Sequence, residues 1–197
     1  TPLAGSSATG SRYGFSTAAA GDITVSGNIS LAGTSVTFMG GYLLGDVLST
    51  DGNVALTGSG LYAMSLSAPV TAGTGANPRT LTITTTGSNG YGLNTAAAAA
   101  LSATGSIALT SYATTGASGL AIAAPIRSTL RGDVVISSYA GGAGENAFTL
   151  GAALSAANGG ITLQGSALIG GVATAAPGTA MTSRQGAGFT SSSVAAT

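Results

Sequence analysis

The chain has 197 residues, of which 33 are Gly; it contains no Cys, His or Trp, and its formal net charge is zero. Charged residues make up 5%, against about 25% in an ordinary globular protein. The lack of His and Cys excludes Ser-His and Cys-His nucleophile systems, and we expect neither an enzyme nor a cofactor. Without clustered Lys and Arg, we expect no nucleic-acid partner. No apolar run approaches the ~18 residues of a membrane span, so no transmembrane segment is predicted.

The first part of the chain shows little pattern. Residues 1–21 are rich in Gly, Ser and Ala, and they are predicted to form a lead-in arm or an N-terminal coil. Short alternating runs then begin at 23–25 and 29–31, and 36–38 is a third. Strict alternation bounded by Gly and Asn is typical of short strands joined by turns.

A repeat begins near Asn53. Five segments place apolar residues at their first and third positions, and they start 26 or 27 residues apart. They are Val54–Leu56, Leu81–Ile83, Ile107–Leu109, Val134–Ile136 and Ile161–Leu163. Such a step is the signature of a stacked repeat, and the unit is too rich in Gly and β-branched residues for a helical one. Two further apolar points in each repeat indicate three strands and three corners. The sequence therefore predicts an all-β parallel β-helix, or β-solenoid, with roughly triangular coils of about 27 residues.

Stacking explains how such coils become stable. Coils ~4.8 Å apart let each strand hydrogen-bond above and below, and the inward residues form continuous ladders. One predicted core ladder is Val54, Leu81, Ile107, Val134 and Ile161, and the other is Leu56, Ile83, Leu109, Ile136 and Leu163. We expect five to six coils over residues 22–187, followed by a C-terminal tail or intersubunit strand over 188–197. The alanine run 96–100 is predicted as a strand or irregular corner, with a short helical turn as the alternative.

Acidic residues are candidates for catalysis or metal binding. Asp46 and Asp51 are the only close pair of carboxylates in the sequence, and glycoside hydrolysis needs two. We interpret both as turn residues that cap backbone N–H groups, and no catalytic residue is predicted. The loop 141–146 resembles the calcium-binding Gly-Gly-x-Gly-x-Asp repeat, but Asn146 replaces the Asp. It is interpreted as a structural loop, and no metal site is predicted.

The tripeptide Arg131, Gly132 and Asp133 is a possible adhesion motif, because integrins recognise the sequence Arg-Gly-Asp. It precedes a predicted strand at a corner. Gly-Asp also precedes strands at 21–22 and 45–46, so a turn role explains the motif, and adhesion stays open as the alternative.

Aromatic and hydroxyl side chains suggest binding surfaces. Tyr91, Tyr112 and Tyr139 come about once per coil but at a shifting phase. They are interpreted as packed at loops, with a stacking platform for sugars or a neighbouring subunit as the alternative. Thr is dense in 82–86 only, so no file of Thr is expected to run down the stack, and no ice-binding face is predicted.

Three strings resemble one another and a known class of protein. The strings are Gly-Asn-Val-Ala-Leu-Thr (52–57), Gly-Ser-Ile-Ala-Leu-Thr (105–110) and Gly-Asp-Val-Val-Ile-Ser (132–137). They resemble the passenger repeats of filamentous-haemagglutinin-like secreted adhesins and autotransporters. The resemblance covers residues 21–170 and implies a right-handed β-helix, a Gram-negative cell surface, and an adhesive or structural role.

Two functions follow from these observations. The first is an extracellular structural protein of a bacterial surface filament, sheath or fibre, assembled from copies of itself end to end or laterally. Its support is the near absence of charge, since soluble monomers keep apart through charged surfaces, together with strand edges that can pair with another copy. The alternative is an adhesin passenger segment that binds a host receptor or glycan through corner loops.

Overall fold

The fold is built from short parallel strands. A computed structural model describes residues 12–115, 118–141, 146–167, 173–175, 181–183 and 189–195, with side chains described as far as 165. The described residues form strands, turns and bends without a helix, which confirms the predicted all-β parallel β-solenoid with coils of about 27 residues. Accordingly, no described segment is a helix long and apolar enough to cross a membrane.

Three sheets form the sides of the solenoid, and strands are numbered in chain order. Sheet A contains β1 (Tyr13–Thr17), β4 (Met39–Leu43), β7 (Tyr62–Leu66), β10 (Leu93–Thr95), β13 (Leu120–Ile122), β16 (Phe148–Leu150) and β19 (Ala173–Ala175). Sheet B contains β2 (Ile23–Val25), β5 (Val47–Ser49), β8 (Val70–Ala72), β11 (Leu101–Ala103), β14 (Ile126–Ser128), β17 (Leu154–Ala156) and β20 (Met181–Ser183). Sheet C contains β3 (Ile29–Thr34), β6 (Val54–Gly60), β9 (Leu81–Gly87), β12 (Ile107–Ala113), β15 (Val134–Ala140), β18 (Ile161–Ala167) and β21 (Phe189–Ala195).

The chain visits sheets A, B and C in turn, so every strand pairs in parallel with its equivalents one coil away. Each sheet is seven strands deep within the described residues. In sheets A and C, six of the seven strands lie within residues 22–187, the range for which five to six coils are expected. The stack includes β1, which lies within the segment 1–21 and pairs with β4. It also includes β21, which lies within 188–197 and pairs with β18 of the same chain.

The core is a set of apolar ladders that run along the stack. Sheet C places the two predicted ladders in register from β6 to β18, and all ten of their side chains are buried. Sheet A contributes Leu43, Leu66 and Leu93, and sheet B contributes Val70, Leu101 and Ile126, all buried. Each such side chain stabilises the fold by about 1.5–3 kcal/mol relative to an exposed one. The alternation of buried and outward residues in each long strand thus closes a continuous core.

Corners account for the differences from the predicted strands. The strand predicted at 36–38 is wrong: these residues form a bend, and Val36 is exposed. The Ser35 hydroxyl oxygen accepts the N–H of Phe38 at 3.1 Å, a local bond that competes with strand pairing. In the alanine run, residues 97–98 form a turn, and the N–H of Ala99 donates to the carbonyl of Ala96 at 3.0 Å.

Small hydroxyl side chains fill part of the interior. The buried Ser111 hydroxyl donates to the carbonyl of Gly119 at 2.9 Å, and Ser138 donates in the same way to Ala147. Gly119 must lack a side chain, because a Cβ there would collide with the Ser138 hydroxyl. Thr85 lies in register with Ser111, but its buried hydroxyl has no hydrogen-bond partner among the described residues. Among the described residues, Thr85 and Ser128 are the two with a buried side-chain oxygen that has no hydrogen-bond partner.

Candidate functional site

The possible adhesion motif lies at the corner between sheets B and C. Arg131 and Asp133 are exposed, and Gly132 adopts a φ of 138°, a backbone conformation that favours glycine. One carboxylate oxygen of Asp133 accepts the N–H of Gly160 at 2.8 Å. The N–H of Asp133 donates to the Ser106 hydroxyl at 3.1 Å. Asp133 therefore joins the coils before and after it.

The same bond recurs along this corner, which we call the corner column. In each case a side-chain oxygen just before a sheet C strand accepts the N–H of the equivalent residue in the next coil. The pairs are Asn28 with Asn53, Asn53 with Thr80, Ser106 with Asp133, and Asp133 with Gly160. Asn, Asp and Ser suit such a corner because their short side chains bond to nearby backbone. The Asp of the tripeptide thus has a structural role whether or not a receptor uses it.

The other acids do not converge on one site. Asp46 and Asp51 lie at different corners, on either side of β5. Asp51 forms an ion pair with Arg79, with Oδ1 2.7 Å from a guanidinium nitrogen. The pKa of Asp51 lies below its usual value because Arg79 donates hydrogen bonds to the carboxylate and attracts it electrostatically, and Asn77 adds a further hydrogen bond. Asp46 donates its backbone N–H to the carboxylate of Asp22 at 2.9 Å. Asp22 thus caps a backbone N–H, which is the role that the sequence predicts for Asp46 and Asp51. Asp51 instead bonds to the side chains of Arg79 and Asn77, and Asp46 contributes its own backbone N–H.

Metal ligands are similarly scattered. The described residues contain no cluster of three or more His, Cys, Asp or Glu side chains. In the loop 141–146 only Gly141 and Asn146 are described, so the rest of that calcium-like motif lies outside the described residues. A shallow depression on sheet A is lined by Asn94, Ala121, Ile122, Ala123, Thr149 and Gly151. None of these lining side chains is titratable.

The outer face of sheet C is a lattice of uncharged side chains, which we call the hydroxyl face. Three files run along it, and the central file is Ala32, Thr57, Thr84, Thr110, Ser137 and Gln164. Thr57, Thr84 and Thr110 lie in direct register, so the expectation that no Thr file runs down the stack is wrong. Their spacing of 27 and 26 residues is the step of the core ladders, so the repeat itself was the signal that would have found this file.

A second surface feature is the edge where sheet C turns into sheet A. Five successive coils each place an aromatic ring at this edge. The ring comes near the end of the sheet C strand, just before the sheet A strand, or at the first residue of the sheet A strand. We call Phe38, Tyr62, Tyr91, Tyr112 and Tyr139 the aromatic edge. Tyr112 and Tyr139 are in register and stack with ring centroids 4.7 Å apart. The tyrosines that shift phase in the sequence thus share one edge, since some precede the corner and others follow it.

Sequence reasoning found these tyrosines but not their alignment. The signal that could have shown the alignment was the number of residues between each Tyr and the nearest strand, rather than the number between one Tyr and the next. Tyr112 and Tyr139 are each five residues after the first residue of their strand, Ile107 and Val134. Tyr62 begins β7, and Tyr91 comes two residues before β10.

Comparison with known proteins gives no family assignment. No protein-family model, no curated protein and no solved structure matches the chain. What the chain does must therefore be argued from the chemistry of its surface, in particular the hydroxyl face and the aromatic edge.

Proposed function

We propose that the chain is a structural protein whose solenoid associates laterally with copies of itself to build a filament, sheath or fibre. The observation that carries this proposal is the hydroxyl face, a lattice with no charged side chain on the sheet C strands β3, β6, β9, β12 and β15, and none on β18 up to Gln164. A surface of this kind has little to keep two copies apart, since charge normally does so.

The hydroxyl face is also chemically complementary to itself. Ser and Thr hydroxyls each donate one hydrogen bond and accept others, so two identical faces can exchange bonds without a fixed division into donors and acceptors. The side chains of Thr57, Thr84 and Thr110 point outward and are exposed, so their hydroxyls are open to a second copy. Symmetric contacts between like faces are the commonest way in which proteins form dimers.

We further propose that the protein works outside the cell, at a bacterial surface, and that it is not an enzyme. The support for the location is the resemblance of the strings at 52–57, 105–110 and 132–137 to secreted passenger repeats. The support for a non-enzymatic role is that the acids bond to neighbouring turns, as Asp51 does with Arg79 and Asp133 with Gly160.

Charge placed on the hydroxyl face tests the proposal. Sedimentation velocity of the purified chain should show concentration-dependent association, and negative-stain microscopy should show fibres or bundles. The double variant Thr57→Lys, Thr110→Lys should sediment as a monomer, because like charges then face each other between copies. Asn94→Lys, Thr149→Lys is the matched control, since it adds the same charge at the same coil separation on sheet A, and it should associate as the unaltered chain does. A chain that stays monomeric, or two double variants with equal effects, would overturn the proposal.

The second candidate is the adhesin, which binds a glycan or a receptor through its corners. The observation that favours it is the concentration of exposed rings at the edge between sheets C and A, where the turns also differ most in length.

A further inference from the structure

The aromatic edge collects the exposed apolar groups of the molecule. Four large apolar side chains are exposed in the described part of the chain: Val36 at 80%, Tyr62 at 38%, Tyr91 at 45% and Tyr112 at 48%. All four lie at or beside the turn from sheet C into sheet A. Single apolar side chains scattered over a surface are normal, whereas exposed rings grouped on one side of a protein are typical of a binding surface.

The rings are held in place by their neighbours. Phe38 meets Tyr62 edge to face with centroids 5.5 Å apart, and Tyr112 stacks on Tyr139 with an angle of 13° between the planes. The Tyr62 ring also lies against Gly90, where any side chain would collide with it. Groups that are already ordered lose little conformational entropy when they bind a ligand.

The edge runs along the solenoid axis. The carbonyl of Tyr91 accepts the N–H of Ala63 at 3.2 Å, which places Tyr91 one coil beyond Tyr62. The five rings from Phe38 to Tyr139 occupy five successive coils, so the edge extends for roughly 19 Å at ~4.8 Å per coil. A ligand that contacts every ring must be elongated and parallel to the rod.

Charge narrows the class of ligand. The described residues of this turn, 34–39, 59–62, 86–93, 112–115, 118–120, 139–141 and 146–148, include no charged side chain. Arg12 lies over Phe38 at 5.1 Å in the first coil. Nucleic acids, acidic polysaccharides and anionic lipids need several cations, so an uncharged ligand fits this edge best.

Hydrogen-bonding groups adjoin the rings. Thr86, in register with Tyr112, points outward from β9 and is exposed, and Asn89 is exposed in the turn that follows. A row of amphipathic rings beside exposed hydrogen-bonding groups matches a sugar chain, whose rings present apolar C–H faces and hydroxyl rims. We propose that the aromatic edge binds a linear, uncharged polysaccharide that lies along the solenoid.

A second copy of the chain fits this edge less well. The edge is a convex corner between two sheets, so two rods that met there would bury only a narrow strip. Stable protein interfaces bury about 800 Å² on each partner. This inference deepens the adhesin candidate, and it does not depend on association through the hydroxyl face.

Binding to polysaccharides of defined charge tests the inference. The probes are insoluble cellulose, chitin and β-1,3-glucan as uncharged polymers, with heparin-agarose as the anionic one. We expect depletion of the chain from solution by at least one uncharged polymer and none by heparin-agarose. The triple variant Tyr62→Ser, Tyr91→Ser, Tyr112→Ser should weaken binding at least about tenfold, because two or more stacking contacts are lost. The Tyr→Phe variant at the same three positions should retain most of the binding, since it keeps the rings. It also keeps the packing of these rings, so it tests the inference if the serine variant fails to fold.

The controls separate binding from folding and from self-association. Tyr42→Ser removes a ring outside the aromatic edge, and Arg127→Ala alters sheet B; both should bind as the unaltered chain does. Thermal melting followed by circular dichroism checks that each variant is folded. Tyr112 also lies on the outer file of the hydroxyl face, in register with Thr86. Because serine there adds a hydroxyl and no charge, sedimentation of the triple serine variant should match that of the unaltered chain. If no uncharged polymer depletes the chain, if the folded serine variant binds equally well, or if it loses self-association instead, the inference is overturned.

Discussion

Single side-chain oxygens join successive coils at four steps of the corner column. Asn28, Asn53, Ser106 and Asp133 each accept one backbone N–H from the following coil. These N–H groups lie at exposed corners, where water is the competing partner. Each bond therefore contributes modestly, but every one supports the same register between coils.

Asp133 provides a direct test of the column. Asp133→Ala should lower the free energy of unfolding by about 1 kcal/mol, because the N–H of Gly160 loses its acceptor. Asp133→Asn keeps an acceptor oxygen and should be close to the unaltered chain. Urea unfolding of both variants measures the difference, and equal losses would show that the bond to Gly160 does not matter.

Thr85 is the site of a second test at this scale. Its buried hydroxyl has no described partner, so Thr85→Val removes a polar group that is costly to bury and preserves the shape. The free energy of unfolding should rise by about 1 kcal/mol. Ser111→Ala, one coil along the same file, should lower it by up to about 1 kcal/mol, because the carbonyl of Gly119 loses one of two donors and keeps the N–H of Leu93. Calorimetric melting of both variants decides whether the two effects have opposite signs.

The strands of sheet C carry the core ladders. Ile83 lies between Leu56 and Leu109 in register, and its side chain is fully buried. Ile83→Ala should cost about 2–5 kcal/mol and Ile83→Val about 0.5–1.5 kcal/mol, since both leave a cavity in a packed interior. The outward neighbour Thr82→Ala is the control and should change stability by less than about 0.5 kcal/mol. Similar losses at 82 and 83 would contradict the observed register of β9.

The sequence predicts the strands of sheet C well because their alternation is long. Leu81 to Gly87 alternates over seven residues, and the repeat from Val54 to Ile161 is almost constant. The corners are harder, since three apolar-alternating residues at 36–38 are too few to tell a strand from a bend held by Ser35. The alignment of Tyr91 with Tyr112 and Tyr139 was likewise hidden, because they lie on opposite sides of a turn whose length changes from coil to coil.

The whole molecule has an unusually simple response to pH. The chain has no His and no Cys, so no side chain with an unperturbed pKa near neutrality is present. Stability and association should be constant between about pH 6 and 9. A change in melting temperature or sedimentation within that range would contradict this expectation.

In acid, the ion pair of Asp51 is expected to make the stability of the fold depend on pH. Its pKa in the folded chain is lowered from 3.8 by Arg79. A lowered folded-state pKa means that the ion pair's contribution is complete above the unfolded value, and it is lost as the pH falls through the folded pKa. Asp51→Asn should therefore lower the melting temperature slightly at neutral pH, where the ion pair is lost, and should show a smaller further drop in acid than the unaltered chain does, as acid titration of the melting temperature would measure.

The corner column also gives the rod a direction of growth. In every pair the oxygen belongs to the earlier coil and the N–H to the later one, as in Asn53 with Thr80 and Asp133 with Gly160. A coil that has just formed already displays the acceptor that its successor needs, whereas a coil formed in the opposite order would display only a donor. A chain that becomes available from its N-terminal side could thus be assembled one coil at a time, with each layer serving as the template for the next.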